Sequence, residues 1–460
     1  MPQEIGGEDK RAFDWGLYPL AENFLRTQVN DFLWSLPYTR KLVRAIQTQT
    51  ATRFIDWIDH MVLPEMSVRR EKLEEIGYSE EKDIEAKEGD CVFLHKNSTF
   101  FPLIIRSGGI TELSIKPEEV SNLKMKMDIK EEIAGTQFGS YRTLQMAKNE
   151  KCVLNAVERR GYDGFVVKED GDALAYEKAL RSMIGRNRGY FHDEDGFREL
   201  EEIIQEALKN LNPHRLADAF FRAERQYWLQ KNRAGQTQKE RQDNFGLGLG
   251  NHDHHAFRSS RKNINHLIEI LEQLGLKPRE AFYAGKQAGW GAQVMASNKS
   301  QVVVFADVDL YPEERDMDFG HKGLKPGDEL GTIGMWVGLH GESVLSSGIH
   351  HLAVACDFRR MEKDLPRIGI FSMPPFSEFP FLRQAFTQGG FWNVSTERAG
   401  ALHKSGLITE KELTRFLRGS AIGSHMEIIE RSQGFAGFNQ DSVSVIIKAT
   451  DPRKGIARSA

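Results

Sequence analysis

Residues 251–261 read NHDHHAFRSSR, with three histidines and an aspartate in four consecutive positions and two arginines close behind. The stretch is polar for a strand and histidine-rich for a turn, but it does not stand alone. IDHMVL at 58–63, HDHHAF at 252–257 and IHHLAV at 349–354 share one shape, and aligning them superposes His60, His254 and His351. Two later runs also match, LNAVERRGYDGF at 154–165 and MEIIERSQGFAGF at 426–438. They set Asn155 beside Glu427 and Glu158 beside Glu430. Repeated units share a fold and differ mainly where function demands it.

Working outward, DHHAFRSS is followed by INHLIEILEQLGL with helical spacing, then by EAFYAGKQ, GAQVMAS and VVVFADVDL with the alternation of strands. The order β-α-β-β-β recurs from GIHHLAVACDF through a helical MEKDLPRIG, a polar helical insert near 396–418 and a closing HMEIIERS. It is also legible over 54–168. The fold class expected is α+β, with paired βαβββ modules forming curved, partly open barrel-like sheets. Residues 1–50 read as a helical cap, two amphipathic helices broken around Leu36-Pro37. Residues 51–168 read as an N-terminal βαβββ-type domain without a metal site, because Asn155 stands where a carboxylate is needed. The charged stretch 169–248 reads as a helical connector, and 249–460 as a C-terminal metal-binding domain of two modules.

Composition narrows the function. With 62 basic against 66 acidic side chains and a net charge of −4 over 460 residues, a polyanion-binding surface is not expected, so nucleic acid is excluded as a partner. No apolar run is long enough for a membrane helix, and the start MPQEIGGEDKRAFDW lacks the features of a signal peptide. A cytoplasmic protein, able to form a homodimer, is expected. Cys91, Cys152 and Cys356 lie far apart with no CxxC, the pattern of buried small residues rather than of disulfides or thiolate zinc.

Side chains alternate across a strand, so only one histidine of each pair can face a given cavity. If the first strands of two paired modules each send one imidazole inward and the last strand sends a carboxylate, His254, His351 and Glu427 share one face. Two imidazoles and one carboxylate with positions left open suit non-haem Fe(II) and oxygen chemistry. A carboxylate inside the apolar MEIIE is costly to bury without a partner, and a cation would supply one. On the same alternation His252, His254 and Arg258 share a face, while His255 and His350 point away, as packing groups or as groups that support a ligand from behind. His252 reads as a donor orienting a ligand or as a solvated turn residue.

Asp253-His254, the run GIHHLA at 348–353 and EIIER at 427–431 with Gly434, Phe435 and Gly437 behind it together resemble the vicinal oxygen chelate superfamily. Over about 250–440 the chain is similar to the 4-hydroxyphenylpyruvate dioxygenase and 2-oxoadipate dioxygenase/decarboxylase types. The resemblance implies that His254, His351 and Glu427 are iron ligands, and that Arg258, four residues after the first, holds a substrate carboxylate as a catalytic-site residue. It implies a mononuclear Fe(II) dioxygenase using O2 on a 2-oxo acid or related small carboxylate. The stretch 368–392 matches neither type.

Two other readings stay open. Zn, Ni or Mn could serve a glyoxalase-type isomerase or lyase as a Lewis acid, with Asp307 or Asp309 as a fourth ligand. The same pocket could instead be a non-catalytic small-molecule site. Among other features, GLGLG at 246–250 precedes a strand rather than a helix and reads as a flexible hinge instead of a phosphate loop. LHGES at 339–343 offers His340 and Ser343 to a site-lining loop or forms a plain turn. Phe435 and Phe438 read either as a cover over a substrate or as core.

Overall fold

Pro19 and Pro37 each begin a helix, where a missing N–H costs nothing. Helix α1 (Pro19–Ser35) and helix α2 (Pro37–Thr50) are therefore separated at Leu36 alone, the break expected from the sequence. The computed structural model describes residues 15–169, 171–190, 192–284, 288–327, 329–439 and 446–453. Residues 1–14 of the expected cap and 285–287 at the end of the EAFYAGKQ strand lie outside the described residues.

Four βαβββ modules follow the two helices. The first is β1 (Ile58–Pro64), α3 (Arg70–Glu75), β2 (Tyr78–Glu80), β3 (Asp90–His95) and β4 (Leu103–Arg106). The second is β5 (Thr111–Ile115), α4 (Val120–Lys126), β6 (Ile133–Ala134), β7 (Tyr141–Lys148) and β8 (Cys152–Arg159). Helices α5 (Ala173–Gly185), α6 (Asp193–Leu208), α7 (Pro213–Leu229) and α8 (Arg233–Asp243) then intervene. The third module is β9 (His252–Arg258), α9 (Ile264–Gln273), β10 (Lys277–Tyr283), β11 (Trp290–Ser297) and β12 (Val302–Asp309). Helices α10 (Phe319–Lys322) and α11 (Thr332–His340) lead to the fourth: β13 (His351–Ala355), α12 (Phe358–Asp364), β14 (Ser377–Phe379) and β15 (Leu382–Phe386), then β16 (Gly390–Asn393), α13 (Thr396–Lys404), α14 (Glu410–Arg418) and the closing β17 (Ser420–Arg431).

Each pair of modules makes one open mixed sheet. The orders are β2-β3-β4-β1-β5-β8-β7-β6 and β10-β11-β12-β9-β13-β17-β15-β14, with β16 on β17. The first strand of one module meets the first strand of the next antiparallel, and each first strand is flanked on its other side by its own module's last strand, in parallel. The centre of each sheet is thus built from the runs that repeat in the sequence. Helix α9 buries Ile264, Leu267, Ile268 and Leu271 at helical spacing against one side of the second sheet, together with Phe220 and Phe221 of α7. The other side carries a separate cluster, Phe282, Trp290, Phe305, Phe376 and Phe386, and it is this side that holds the site.

One irregularity recurs. In β1 against β5, Ile58 and His60 oppose Ile115 and Ser114; in β9 against β13, His255 and His252 oppose Leu352 and Val354. Each first strand carries one residue more than its partner, a β-bulge, which interrupts alternation and re-aims side chains. The bulge corrects the expectation for His252: it turns away from His254, and its ring lies 5.4 Å from that of His255.

The run GLGLG is not a hinge. Gly246 and Gly248 have φ of +72° and +58°, and a Cβ on Gly246 would stand 2.5 Å from the carbonyl oxygen of Asn122. The stretch is buried throughout, and its glycines let two backbones approach.

Candidate metal centre

Strand β9 delivers His254, β13 delivers His351 and β17 delivers Glu427, and all three side chains are nearly inaccessible to solvent. His254 Nε2 lies 3.1 Å from Glu427 Oε2, His351 Nε2 lies 3.3 Å from the same oxygen, and the two Nε2 atoms are 3.4 Å apart. Three donor atoms from strands far apart in sequence thus form a nearly equilateral triangle. Nitrogen and oxygen donors about 2.1 Å from one ion, at right angles, stand about 3.0 Å from one another. The set fits a divalent transition metal, with one face of its coordination sphere left for other ligands.

Each donor is held from behind. The bulge puts Asp253 on the side of His254, so that neighbours in one strand bond: Asp253 Oδ1 lies 2.7 Å from His254 Nδ1. That contact favours Nε2 as the metal-facing atom. Asp253 is gripped by Arg431, whose Nε and Nη2 donate to it at 2.8 and 3.1 Å. Arg431 Nη1 is tied to the carbonyl oxygens of Phe435 and Gly437, and its guanidinium lies over the Phe438 ring. Glu427 Oε1 accepts from Gln384 Nε2 at 2.8 Å.

The electrostatics follow. Burial opposes charge on His254, but Glu427 and Asp253 outweigh it and hold the pKa up at about 9. Burial and the charge on His254 push His351 far the other way. Burial works against the Asp253 carboxylate too, but Arg431 and His254 hold its pKa well below the usual carboxylate range.

The triangle opens into a cavity of about 50 Å³ walled by Phe282, Trp290, Phe305, Phe376, Phe386 and Phe438. Asp307 lines it too, with Glu280, Gln384 and Asn439. Buried and only partly compensated by Arg258 and His254, its carboxyl has a pKa raised to about 7. Asp309 does not reach the cavity; it accepts the backbone N–H groups of Gly331, Ile333 and Gly334 at the start of α11.

Arg258 shares the His254 side of the sheet but does not line the cavity. It is fully buried beside Trp336, its Cζ 5.5 Å from the ring, and none of its three guanidinium nitrogens has a hydrogen-bond partner. His350 departs from expectation, since its ring lies on the site's side, 5.3 Å from Trp336 and 5.4 Å from His425. It precedes β13 by one residue and so escapes strict alternation. Nε2 of His350 and Nε2 of His425 are also unpartnered. His255 does face away, against Phe221 and Arg225.

The LHGES residues serve structure: Ser343 Oγ accepts from the Arg258 N–H and His340 Nε2 contacts the Ile422 carbonyl. Phe438 lines the cavity, whereas Phe435 packs on Phe381 outside it. Sequence reasoning missed Asp253, Arg431 and Gln384 as supports. Asp-His in one repeat and Arg four residues past Glu427 in the other were the available signals; Gln384 lies in the stretch 368–392, which matches neither family type.

The N-terminal half sets the same supports around different residues. Asp59 Oδ2 lies 2.6 Å from His60 Nδ1, and Arg159 grips Asp59 at 2.7 and 2.9 Å while bonding the carbonyl oxygens of Tyr162 and Gly164. By strand register, Glu112 stands where His351 does and Asn155 where Glu427 does. Asn155 Nδ2 donates to Glu112 Oε2 at 3.2 Å, and the other oxygen of Glu112 pairs with Arg106.

No family model matches the chain, and no curated protein matches it. Among solved structures it is similar to a glyoxalase-superfamily protein from Ralstonia eutropha JMP134, at 13% identity over 50% of this chain and 87% of that one, with a TM-score of 0.34. It is similar to a mutant of 4-hydroxymandelate synthase from Streptomyces coelicolor, at 10% identity over 87% and 99%, TM-score 0.29. A third is the uncharacterized protein YdcJ from Shigella flexneri, at 14% identity over 62% and 84%, TM-score 0.24. No helix among the described residues is long and apolar enough to cross a membrane. The chain is α+β, with two open mixed sheets, each made of two βαβββ modules meeting at their first strands.

Proposed function

We propose that His254, His351 and Glu427 hold Fe(II), and that the protein is a mononuclear non-haem dioxygenase acting on a 2-oxo acid or related small carboxylate. The single observation that carries the reading is the triangle of two imidazole nitrogens and one carboxylate oxygen, 3.1–3.4 Å on its edges. When bound, the iron supplies positions for the substrate's oxygens and for O2, and the electrons for oxygen chemistry.

The chain's own residues do the rest. Asp253 and Gln384 fix the orientation of His254 and Glu427. The aromatic walls exclude water from the reacting end of the substrate and raise the strength of every charge interaction there. Arg258, buried past the cavity wall, is the binding group for the second carboxylate of a substrate that reaches beyond that wall. A buried guanidinium with no hydrogen-bond partner is costly, and a planar fork matches a carboxylate bidentately. The free Nε2 atoms of His350 and His425 lie in the same region. The test is O2 consumption by the iron-loaded protein with a panel of 2-oxo acids carrying and lacking a second carboxylate. Turnover of the dicarboxylates, lost in Arg258→Met, supports the reading; no O2 uptake with any of them contradicts it.

One observation favours a second reading. Asp307 lines the cavity with a pKa near 7, which suits a proton-transferring group beside the donor triangle in a Zn, Ni or Mn isomerase or lyase. Proton exchange at a substrate carbon without O2 uptake would select it.

A further inference from the structure

The face of β9 that turns away from the metal centre borders a second cavity, at the seam between the two halves. Its walls come from the segment after β5, the end of β8, α7, the start of β9 and the turn joining β11 to β12. They carry the cations Lys116, Arg159, Arg222, Arg225 and Lys299 and the acids Glu118 and Asp218.

The acids and two of the arginines are committed elsewhere. Arg159 is paired with Asp59, and Arg222 Nε donates to Asp218 Oδ2 at 2.8 Å. Glu118 accepts the Leu249 N–H at 3.0 Å and lies 3.8 Å from Lys239. Lys116, Arg225 and Lys299 make no ion pair within 4.0 Å among the described residues, although Glu118 and Asp218 favour the charge on Arg225, and Asp59 and Asp218 that on Lys116. Lys116 Nζ donates only to the neutral Gln301 Oε1, at 2.6 Å. Arg225 is 4% exposed; its Nη1 meets His255 Nε2 at 3.2 Å and its Nε has no partner. His252 Nδ1 and Ser300 Oγ, on the same walls, are also unpartnered.

Arg225 is buried and Lys116 half-buried, and unpaired cations inside a protein are costly unless something negative meets them; Lys299 stands exposed at the rim. The accessible volume is about 30 Å³, room for two or three water molecules at roughly 10–15 Å³ each, and hence for one oxyanion group and not for a whole cofactor. We propose that this cavity binds the phosphate or carboxylate group of a small anion, with Arg225, Lys116 and Lys299 as its counter-charges, at a site separate from the metal centre.

The test is calorimetric titration of the full chain as purified, with inorganic phosphate and, separately, with malonate, at ionic strength held constant with sodium chloride. One saturable site per chain is expected, weakened about tenfold or more in Lys116→Gln and Arg225→Met, as for loss of a charge-assisted hydrogen bond, and unchanged in Glu427→Gln. Lys299→Gln, at an exposed position, weakens binding too and keeps the test open should Arg225→Met fail to fold. Tighter phosphate binding assigns a phosphate ligand, and tighter malonate binding a carboxylate. No saturable binding of either anion, equal affinity in the lysine variants, or loss of binding in Glu427→Gln would overturn the proposal; the last would place the anion at the metal centre.

Discussion

The two halves arrange four equivalent side chains alike: Asp59, His60, Arg159 and Phe165 in one, Asp253, His254, Arg431 and Phe438 in the other. In both, a bulge aligns the aspartate with its neighbouring histidine, an arginine from the last strand grips the aspartate, and that guanidinium lies over a phenylalanine. What differs is the pair that completes the ring. Glu112 and Asn155 bond to each other in the first half, while His351 and Glu427 point their donors at His254 in the second. Register also sets Arg106 where Asp307 stands. An Asp-His-Arg support is therefore common to both halves, and the two positions on the neighbouring strands decide whether it backs a cluster that could hold a metal or an internal ion pair.

The comparison can be broken most sharply by removing its distinguishing residues. Glu427→Ala should lower affinity for Fe(II) or its redox-inert substitutes by more than about a hundredfold, since loss of an outer support alone costs 10–100-fold. Asn155→Ala should leave metal affinity as it was, and anaerobic metal titration reads both.

The supports come next. Asp253→Asn should cost about 10–100-fold in metal affinity, and Asp59→Asn none. Both leave a buried arginine without its carboxylate, a loss of about 3–5 kcal/mol when a buried pair is broken, measured by denaturant unfolding. Equal effects of the two on metal affinity would dissolve the distinction between the halves.

A pH dependence separates Asp307 from its counterpart Arg106. Burial raises the Asp307 pKa from its usual value near 3.8 to about 7. Its contribution to stability is thus fully present below pH 4 and is lost as pH rises through 7. In metal-free protein Asp307→Asn should therefore match the parent near pH 4 and exceed it above pH 7, by about 2–4 kcal/mol. Unfolding curves at the two pH values check the sign.

The smallest effect is expected from Gln384→Ala, which frees one oxygen of Glu427 without adding charge. Metal affinity should fall about tenfold, read in the same titration.

Much of this was legible in the repeats. Aligning three strand starts and two strand ends picked out His254, His351 and Glu427, which the fold brings together, because the same strand positions recur at the centre of each sheet. The break at Leu36-Pro37 and the βαβββ order were legible from proline chemistry and periodicity. The bulge was not. Strict alternation sends Asp253 and His254 to opposite faces and keeps His252 with His254, and one extra residue in β9 reverses both. Arg258 was placed on the correct side of the sheet, yet alternation cannot say how far along a strand a cavity extends, and the guanidinium sits past its wall. Gln384 lies in the stretch 368–392, which matches neither family type, so nothing in the sequence tied it to Glu427.

The central claim is that one metal ion sits between β9, β13 and β17. The direct measurement is metal content per chain, after reconstitution with Fe(II) without oxygen and removal of free metal, in the parent, His351→Ala and Asn155→Ala proteins. The account predicts one ion, none and one. No bound metal in the parent, or an undiminished ion in His351→Ala, would contradict it.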